Sequence, residues 1–215
     1  MYKTFTPARQ IAIAAVAAAA LVFSASAMAA KPAGKVVPGK PGQNAIVENG
    51  TIVDIAIAVN GLLGEFDYLL GAVGCLTDDA GNNAVVDLLS GTDRYTLFAP
   101  TDAAFEALQG ALGITEPSPE LTCAVDDIFG EGTLFTVLAY HVTDGRRFSN
   151  SVFNANSTKE IEMLTGDYIT TTPDLSIIDG VPQVIGVVPG LVNINASNGV
   201  IHVIDTVMLP FNPFE

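Results

Sequence analysis

A strand set inside the helical half of the chain constrains the fold more than any other segment. The run YTLFA, residues 95–99, has the β-branched and aromatic content typical of a strand, and Pro100 ends it. Thr101 then fits a helix N-cap, and Asp102 follows in the first turn, where the helix dipole favours a negative charge. The chain therefore passes directly from a strand into a helix across one proline.

Helical patterns surround this strand, whereas strand patterns fill the end of the chain. Thr51 and Asp54 have the spacing of a capping box, and apolar residues recur at helical spacing over 64–74 and 132–142. From Lys159 onward, short β-rich runs alternate with glycine, proline and Asn-Gly turns. The predicted strands cover 160–164, 168–172, 175–179, 182–188, 191–196 and 199–205. This order predicts an α+β fold in which the early strand joins the late sheet.

His202 lies in the last predicted strand. Val200 and Ile204 share its side of the strand, and Ile201 and Val203 take the other. Because both sides are apolar, we expect this strand to be buried on both. A buried imidazole needs a hydrogen-bond partner, since an unpaired polar group in a dry core costs about 1 to 3 kcal/mol. A structural role is therefore favoured for this histidine.

The chain carries few of the residues that catalysis requires. It contains no G-x-S-x-G, H-E-x-x-H or P-loop motif, and only His141 and His202 are histidines. His141 closes an apolar helix, where a positive imidazole would meet the negative end of the dipole, so a structural role is favoured there too. A site that unites both histidines with Asp102 is an alternative that no spacing requires. We therefore predict no catalytic residues and no cofactor.

The start of the chain has the pattern of a secretory signal peptide. Two basic residues are followed by an apolar run at 11–23 and by small residues that fit cleavage after Ala29. The apolar run is shorter than the roughly 20 residues of a transmembrane helix, and no other stretch approaches that length. Proline, glycine and lysine over 30–44 predict a flexible linker. We therefore predict a signal peptide at 1–29 and one exported domain at 45–215.

Charge divides sharply along the chain. All 23 acidic residues lie from Glu48 onward, where only Arg94, Arg146, Arg147 and Lys159 oppose them, so this part carries a net charge of −19. Such a balance argues against nucleic acid as a partner, because nucleic-acid binding depends on basic groups that neutralise phosphates. It favours a solubilising acidic surface. Arg146 and Arg147 form the only basic pair, which either docks a carboxylate or sulfate group or lies in a solvated turn.

The two cysteines and the acidic stretch at 77–87 bear on disulfides and metals. Cys75 and Cys123 are an even pair, which in an exported chain favours a disulfide. They have no nearby histidine and do not resemble a zinc site. Calcium at 77–87 is an alternative to a plain acidic loop, although the stretch lacks the glycine and terminal glutamate of an EF-hand. We therefore predict a disulfide and no metal site.

Three segments together resemble the signatures of the fasciclin domain. YTLFAPTDAAFEAL at 95–108 resembles the first signature, and YHV at 140–142 resembles the tyrosine-histidine motif that follows an apolar helix. NGVIHVIDTVMLP at 198–210 resembles the closing signature, and TIVDIA at 51–56 resembles the usual start of the domain. Their order and separation also match, so the resemblance covers about residues 46–210.

This resemblance implies a wedge of two β-sheets that carries a cluster of helices from the N-terminal half. It also implies a secreted or surface protein linked to adhesion and matrix contact. Members of the family bind integrins, collagen or polysaccharide, and some hold pigments. The family has no established catalytic residues. Residues 76–92 look like a longer stretch than is usual for the family, and a specific function would reside there.

The resemblance also assigns individual residues. Tyr140 and His141 occupy the motif implicated in adhesion in animal members, and the Asp-Ile pair used for integrin contact falls at Asn193 and Ile194. Asparagine replaces the aspartate here, which removes the carboxylate that such receptors use to reach a metal and disfavours integrin binding. The remaining polar residues of the signatures are predicted to tie strands and helices together: Thr101, Asp102, His202 and Asp205.

The expected function is that of a secreted, non-catalytic binding module for cell adhesion or matrix contact. Its expected location is the periplasm, the cell surface or the extracellular space, and its expected partner is a surface or matrix protein or polysaccharide. The alternative is a carrier that encloses a hydrophobic small molecule, such as a pigment, between helices and sheet. Neither interpretation calls for a nucleic acid, a metal or a cofactor.

Overall fold

The computed structural model describes residues 50–78, 81–181 and 183–213. The predicted signal peptide and linker lie outside the described residues and stay predictions. The α-helices are α1 (Ile52–Leu63), α2 (Asp67–Cys75), α3 (Ala84–Ser90), α4 (Asp102–Ala111), α5 (Val125–Phe129), α6 (Thr133–Ala139) and α7 (Ser149–Val152), and a 3-10 helix covers Pro119–Ala124. The strands are β1 (Tyr95–Pro100), β2 (Val142–Asp144), β3 (Lys159–Glu162), β4 (Tyr168–Thr171), β5 (Ser176–Ile178), β6 (Val184–Gly186), β7 (Ile194–Ala196) and β8 (Gly199–Ile204).

A strand from the helical half lies at the centre of the first sheet, which confirms the expectation from the sequence. The strand order of this sheet is β2-β1-β8-β7. β1 and β8 run parallel, from Tyr95 opposite Gly199 to Pro100 opposite Ile204, and the other neighbours are antiparallel. All of β8 is buried. Parallel pairs occur where both faces of a sheet are covered, and the core contacts on each side of β8 satisfy that condition.

The second sheet is antiparallel throughout and has the order β3-β4-β5-β6. It meets the first sheet at two places. The Leu164 N–H donates to the Val142 carbonyl at 2.8 Å, and an isolated bridge pairs Val187 with Ile204. A core of large apolar side chains lies between the sheets: Phe98, Tyr140, Ile161, Ile169, Ile177, Ile185 and Ile204. A larger core packs the helices against the first sheet, which completes the predicted wedge with its helical cluster.

The helix predicted over 132–142 is too long. α6 ends at Ala139, and Val142–Asp144 forms β2, which pairs antiparallel with β1. The His141 N–H donates to the Leu138 carbonyl at 3.1 Å, so the chain turns tightly between helix and strand. Three residues are too few to show an alternation of their own, and β2 forms because β1 offers it a partner.

Cys75 and Cys123 form the disulfide that the sequence predicts, with 5.4 Å between their Cα atoms. The bond joins the end of α2 to the 3-10 helix. The backbones approach closely at this contact, because a Cβ added at Gly71 would lie 3.3 Å from the Pro119 carbonyl oxygen. The disulfide therefore fixes the edge of the helical cluster.

Loss of this disulfide is expected to lower the free energy of unfolding by about 4 kcal/mol in the chain-entropy model, because the bond closes a loop between residues 48 apart. We expect the double variant Cys75→Ser/Cys123→Ser to unfold at lower urea than the oxidised wild type. The reduced wild type is the control and should match the variant. Equal midpoints for the oxidised wild type and the variant would contradict the prediction.

Candidate functional site

Tyr140, the first residue of the tyrosine-histidine motif, is buried between the two sheets. Its hydroxyl donates to the Tyr168 carbonyl at 3.3 Å and accepts the Gly180 N–H at 3.1 Å. Burial raises the pKa of this hydroxyl to about 12, so it stays protonated at neutral pH. Tyr140 thus connects α6 to the second sheet and presents no surface of its own.

His141 is also buried, beneath the helical cluster. The Met208 N–H donates to Nε2 at 2.9 Å, so the proton of the ring lies on Nδ1, which donates to the Val137 carbonyl at 2.7 Å. Burial lowers the pKa of His141 from its ordinary value of 6.5 to about 4. The imidazole is therefore neutral and does not bring a positive charge to the helix end.

Acid is expected to destabilise the domain through His141. Its pKa in the folded state lies below that of the unfolded chain, so the unfolded chain takes up the proton first as pH falls. The stabilising contribution is complete above about pH 6.5 and is lost towards pH 4, by about 3 kcal/mol in total. His202, whose pKa is also lowered by burial, acts in the same direction.

The measurement is the free energy of unfolding in urea at several pH values between 7 and 4.5. We expect His141→Asn to be less stable than the wild type at pH 7 and to lose less stability on acidification. Asp102 and Asp179, whose pKa values are raised by burial, act in the opposite direction in both proteins, so the difference between the two slopes isolates the histidine. Parallel slopes would show that His141 does not titrate in this range.

His202 is buried at the centre of the first sheet, with its ring 5.7 Å from that of Phe98. Its Nδ1 accepts the Asn193 N–H at 3.4 Å, so the ring proton lies on Nε2, which donates to the Arg147 carbonyl at 2.9 Å. Both ring nitrogens are therefore bonded to the backbone. Among the described residues, no hydrogen bond links His202 to His141 or to Asp102.

The pair predicted for receptor contact does not form an exposed motif. Ile194 is completely buried in the larger core. Asn193 is half-buried and has a positive φ of 59°, a conformation that asparagine tolerates better than most residues. Its side chain accepts the Ser149 N–H at 2.6 Å and donates to the Ser149 hydroxyl at 2.8 Å. Asn193 thus holds the segment in front of α7.

The other polar residues of the signatures also bond to backbone groups. Thr101 accepts the Ala104 N–H at 3.3 Å and caps α4. Asp102 accepts the Tyr68 N–H at 3.0 Å, at the start of α2, which has no capping side chain of its own. Burial nevertheless raises the pKa of Asp102. Asp205 accepts the Gly186 N–H at 2.8 Å and so ties β8 to β6.

One partly exposed element gathers several of these bonds, namely Asp144–Ser149, which we call the arginine loop. Its Gly145 N–H donates to the Arg94 carbonyl at 2.7 Å. The Thr96 hydroxyl donates to the Gly145 carbonyl and accepts the Arg147 N–H, both at 2.8 Å. His202 and Asn193 bond to the same loop, as described above. Buried polar groups from β1 and β8, and the half-buried Asn193 before β7, therefore hold this loop in one conformation.

Neutral groups hold the two guanidinium groups of the arginine loop. Arg146 donates to the side-chain oxygen of Asn195, and its guanidinium carbon lies 5.4 Å from the centre of the Phe148 ring. The Arg146 Nε is covered and has no hydrogen-bond partner among the described residues. Arg147 Nε donates to the Asp144 carbonyl at 2.9 Å. The basic pair thus keeps its charge at the surface and lies in a fixed loop.

A second feature is an apolar groove among α4, the 3-10 helix, α5, α6 and residues 207–213. The groove is partly open to solvent. Its walls include Phe105, Leu121, Ile128, Leu134, Val207 and Phe211, and His141 lies at its base. Sequence reasoning missed this groove. The apolar pattern of each helix reveals which of its faces is buried, but not that several such faces leave a space between them.

The described part of the chain bears on the metal and membrane predictions. Among the described ranges, no group of three or more histidine, cysteine, aspartate or glutamate residues has the arrangement of a metal site. In the stretch considered for calcium, Asp78 accepts the Asn82 N–H at 2.8 Å, while residues 79–80 lie outside the described part. Within the described part, the helices are too short or too polar to cross a bilayer.

Several known proteins are similar to this chain over part of its length. "Protein sll1483" of Synechocystis is 32% identical over 126 residues, which covers 59% of this chain and 61% of that protein. "Cell surface glycolipoprotein MPB83" of Mycobacterium bovis is 29% identical over 127 residues, 59% of this chain and 48% of that protein. A solved FAS1 domain pair from the insect cell adhesion molecule fasciclin I aligns with 66% of this chain and 45% of its own, at 16% identity and a TM-score of 0.42.

The chain thus spans about half to three fifths of the length of these two sequence relatives. The sequence profile of the fasciclin domain matches residues 76–210, which is more than half of the chain. The described helices and the two four-stranded sheets lie largely within that match. The chain belongs to the fasciclin domain family.

Proposed function

We propose that this protein is a secreted, non-catalytic module that binds at the cell surface or in the surrounding matrix. Membership of the fasciclin domain family supports this role, and so does the mycobacterial relative whose name places it at the cell surface. The signal-peptide pattern at the start of the chain agrees with export.

One observation carries the proposal: the polar side chains of the family signatures are occupied by backbone partners. Tyr140, His141 and His202 are buried, and each donates to and accepts from main-chain groups. Both imidazoles are neutral at pH 7 because burial lowers their pKa values. Groups used in this way stabilise the fold, so recognition is left to the exterior.

The test is retention of the purified mature chain on envelope and matrix polysaccharides and on surface proteins, with and without calcium. Saturable retention, together with an adhesion or biofilm defect in a deletion strain, is the expected result. A mature chain that binds none of these, from a strain whose deletion leaves adhesion unchanged, would remove the basis of the proposal.

The apolar groove favours a second candidate function, that of a carrier for a hydrophobic small molecule. Apolar walls with few polar groups are typical of such sites.

Native mass spectrometry and absorbance spectra of the purified protein would reveal a ligand that is retained. Ile128→Glu at the groove should release it, whereas Ile57→Glu on α1 should not. The two isoleucines are similarly exposed, at 57% and 54%, and only Ile128 lines the groove.

A further inference from the structure

We propose that the arginine loop binds the carboxylate or sulfate groups of an anionic polysaccharide. This inference rests on the proposed surface or matrix function and names the chemistry of the partner. Nothing in the family signatures assigns a role to Arg146 or Arg147. The argument depends on the charge, the rigidity and the composition of the loop.

Charge makes the arginine loop the most favourable place for a polyanion. Residues from 48 onward carry a net charge of −19 and only four basic residues. All four have a link to this region: the Arg94 carbonyl accepts the Gly145 N–H of the loop that carries Arg146 and Arg147, and Lys159 bonds to Ser151 in α7. Elsewhere the acidic surface repels an anionic polymer. A polyanion that approaches this domain is therefore attracted mainly to one end of the first sheet.

Rigidity lowers the cost of binding at this loop. The loop backbone bonds to Thr96 of β1, to His202 of β8 and to Asn193, which directly precedes β7. Because these partners are buried or half-buried, the loop keeps its conformation before a ligand arrives. Preorganised groups lose little conformational entropy on binding. The buried His202 thus helps to fix the conformation of the arginine loop at the surface.

The groups on the loop suit an acidic sugar. A guanidinium group binds a carboxylate or sulfate through paired hydrogen bonds, and Arg146 has few acceptors within the protein. Phe148 is 40% exposed and offers an apolar surface to a sugar ring. The Asn195 carboxamide is exposed beside Arg146 and can bond to hydroxyl groups. A neutral sugar would use only the last two contacts.

The loop also contains features that limit its affinity. Asp144 is exposed within the loop, and Asp93 lies at the same end of β1. Burial raises the pKa of Tyr95, and both carboxylates add to that rise. These charges reduce the attraction for a single anionic group. A polymer that repeats its charged group compensates for this weakness, since many copies of the domain bind along one chain. Binding of this kind weakens as salt is added.

The experiment measures retention of the mature chain on alginate, which carries carboxylates, and on dextran sulfate, with neutral dextran as the control polymer. We expect retention on one or both anionic polymers, loss of retention at high salt, and about tenfold weaker binding for Arg146→Gln/Arg147→Gln. Lys159→Gln removes the positive charge that bonds to the Ser151 carbonyl, just beyond the loop, and should weaken binding by no more than about twofold. Thermal melts establish that each variant is folded.

A second double variant, Arg146→Lys/Arg147→Lys, keeps the charge but loses the planar donors and should bind about threefold more weakly than the wild type. Equal binding of wild type and Arg146→Gln/Arg147→Gln would overturn the site and leave the binding function standing. No retention on either anionic polymer, or equal retention on neutral dextran, would overturn the proposed chemistry. A neutral polysaccharide or a surface protein captured in the wider screen would then still support the proposed function.

Discussion

Replacing Gly199 with alanine is expected to prevent the domain from reaching a stable native state. A Cβ at this position would lie 2.2 Å from the Tyr95 carbonyl oxygen and 2.5 Å from Cδ1 of Ile52. Tyr95 and Gly199 are opposite each other at the start of the parallel pair β1–β8. The added methyl group therefore separates the two central strands or displaces α1. We expect a loss of more than about 5 kcal/mol, comparable to the whole stability of a domain.

The measurement is urea unfolding followed by circular dichroism, together with the yield of soluble protein. Gly61→Ala is the control, because a Cβ there meets nothing within 4 Å. Gly61 lies within α1, where alanine is favoured over glycine by about 1 kcal/mol, so this variant should be slightly more stable than the wild type. A Gly199→Ala protein with the wild-type midpoint would mean that β1 and β8 separate at little cost.

Asn198→Ala is expected to cost about 5 kcal/mol, the second largest effect of a single change. The buried Asn198 side chain accepts the Ile52 N–H at 2.8 Å and donates to the Leu89 and Gly91 carbonyls at 2.7 and 3.0 Å. Alanine leaves one N–H and two carbonyls without partners in or near the core, each at a cost of about 1 to 3 kcal/mol. The start of α1, the end of α3 and the turn before β8 would lose their common attachment.

The control for this change is Asn195→Ala, on the same hairpin. Asn195 is exposed and its side chain bonds only to Arg146 at the surface, so we expect a loss below about 1 kcal/mol. Urea midpoints of both variants at pH 7 provide the comparison. Similar midpoints would indicate that water replaces the three bonds of Asn198 and that the turn is more open than its burial suggests.

Local patterns were enough to predict much of the fold. The cap at Thr51, the passage from strand to helix at Pro100 and the disulfide between Cys75 and Cys123 depend on neighbouring residues or on residue type alone. The strand pattern after Lys159 also agrees with β3 to β8. Apart from the disulfide, the physical cause in each case is short-range: dihedral limits, dipoles and alternating burial.

Contacts between distant segments account for what the sequence did not reveal. Asn198 appears in the closing signature as a turn residue, yet its side chain bonds to α1 and α3, more than 100 residues away. In the sequence, the arginine loop appears as a basic pair that follows a predicted helix, and its fixed conformation depends on Thr96 and His202. No periodicity reports such pairings, because they exist only after the sheets have formed.

The residues that the family resemblance assigns to binding also show that a sequence motif does not reveal whether its side chains are exposed. The resemblance assigns Tyr140, His141, Asn193 and Ile194 to binding, and this assignment stays a prediction. In the structure, Tyr140, His141 and Ile194 are buried, and the Asn193 side chain is engaged with Ser149. A role for these residues in adhesion would therefore act through the conformation of the neighbouring loops.

The parallel pairing of β1 with β8 has a consequence for the order in which the domain forms during synthesis. β1 forms its central contact with residues about 100 positions later in the chain, so the first sheet stays incomplete until Ile204 has been synthesised. Contacts of such long sequence separation form slowly. A polypeptide that is still being synthesised therefore cannot complete the central strand pair of this domain.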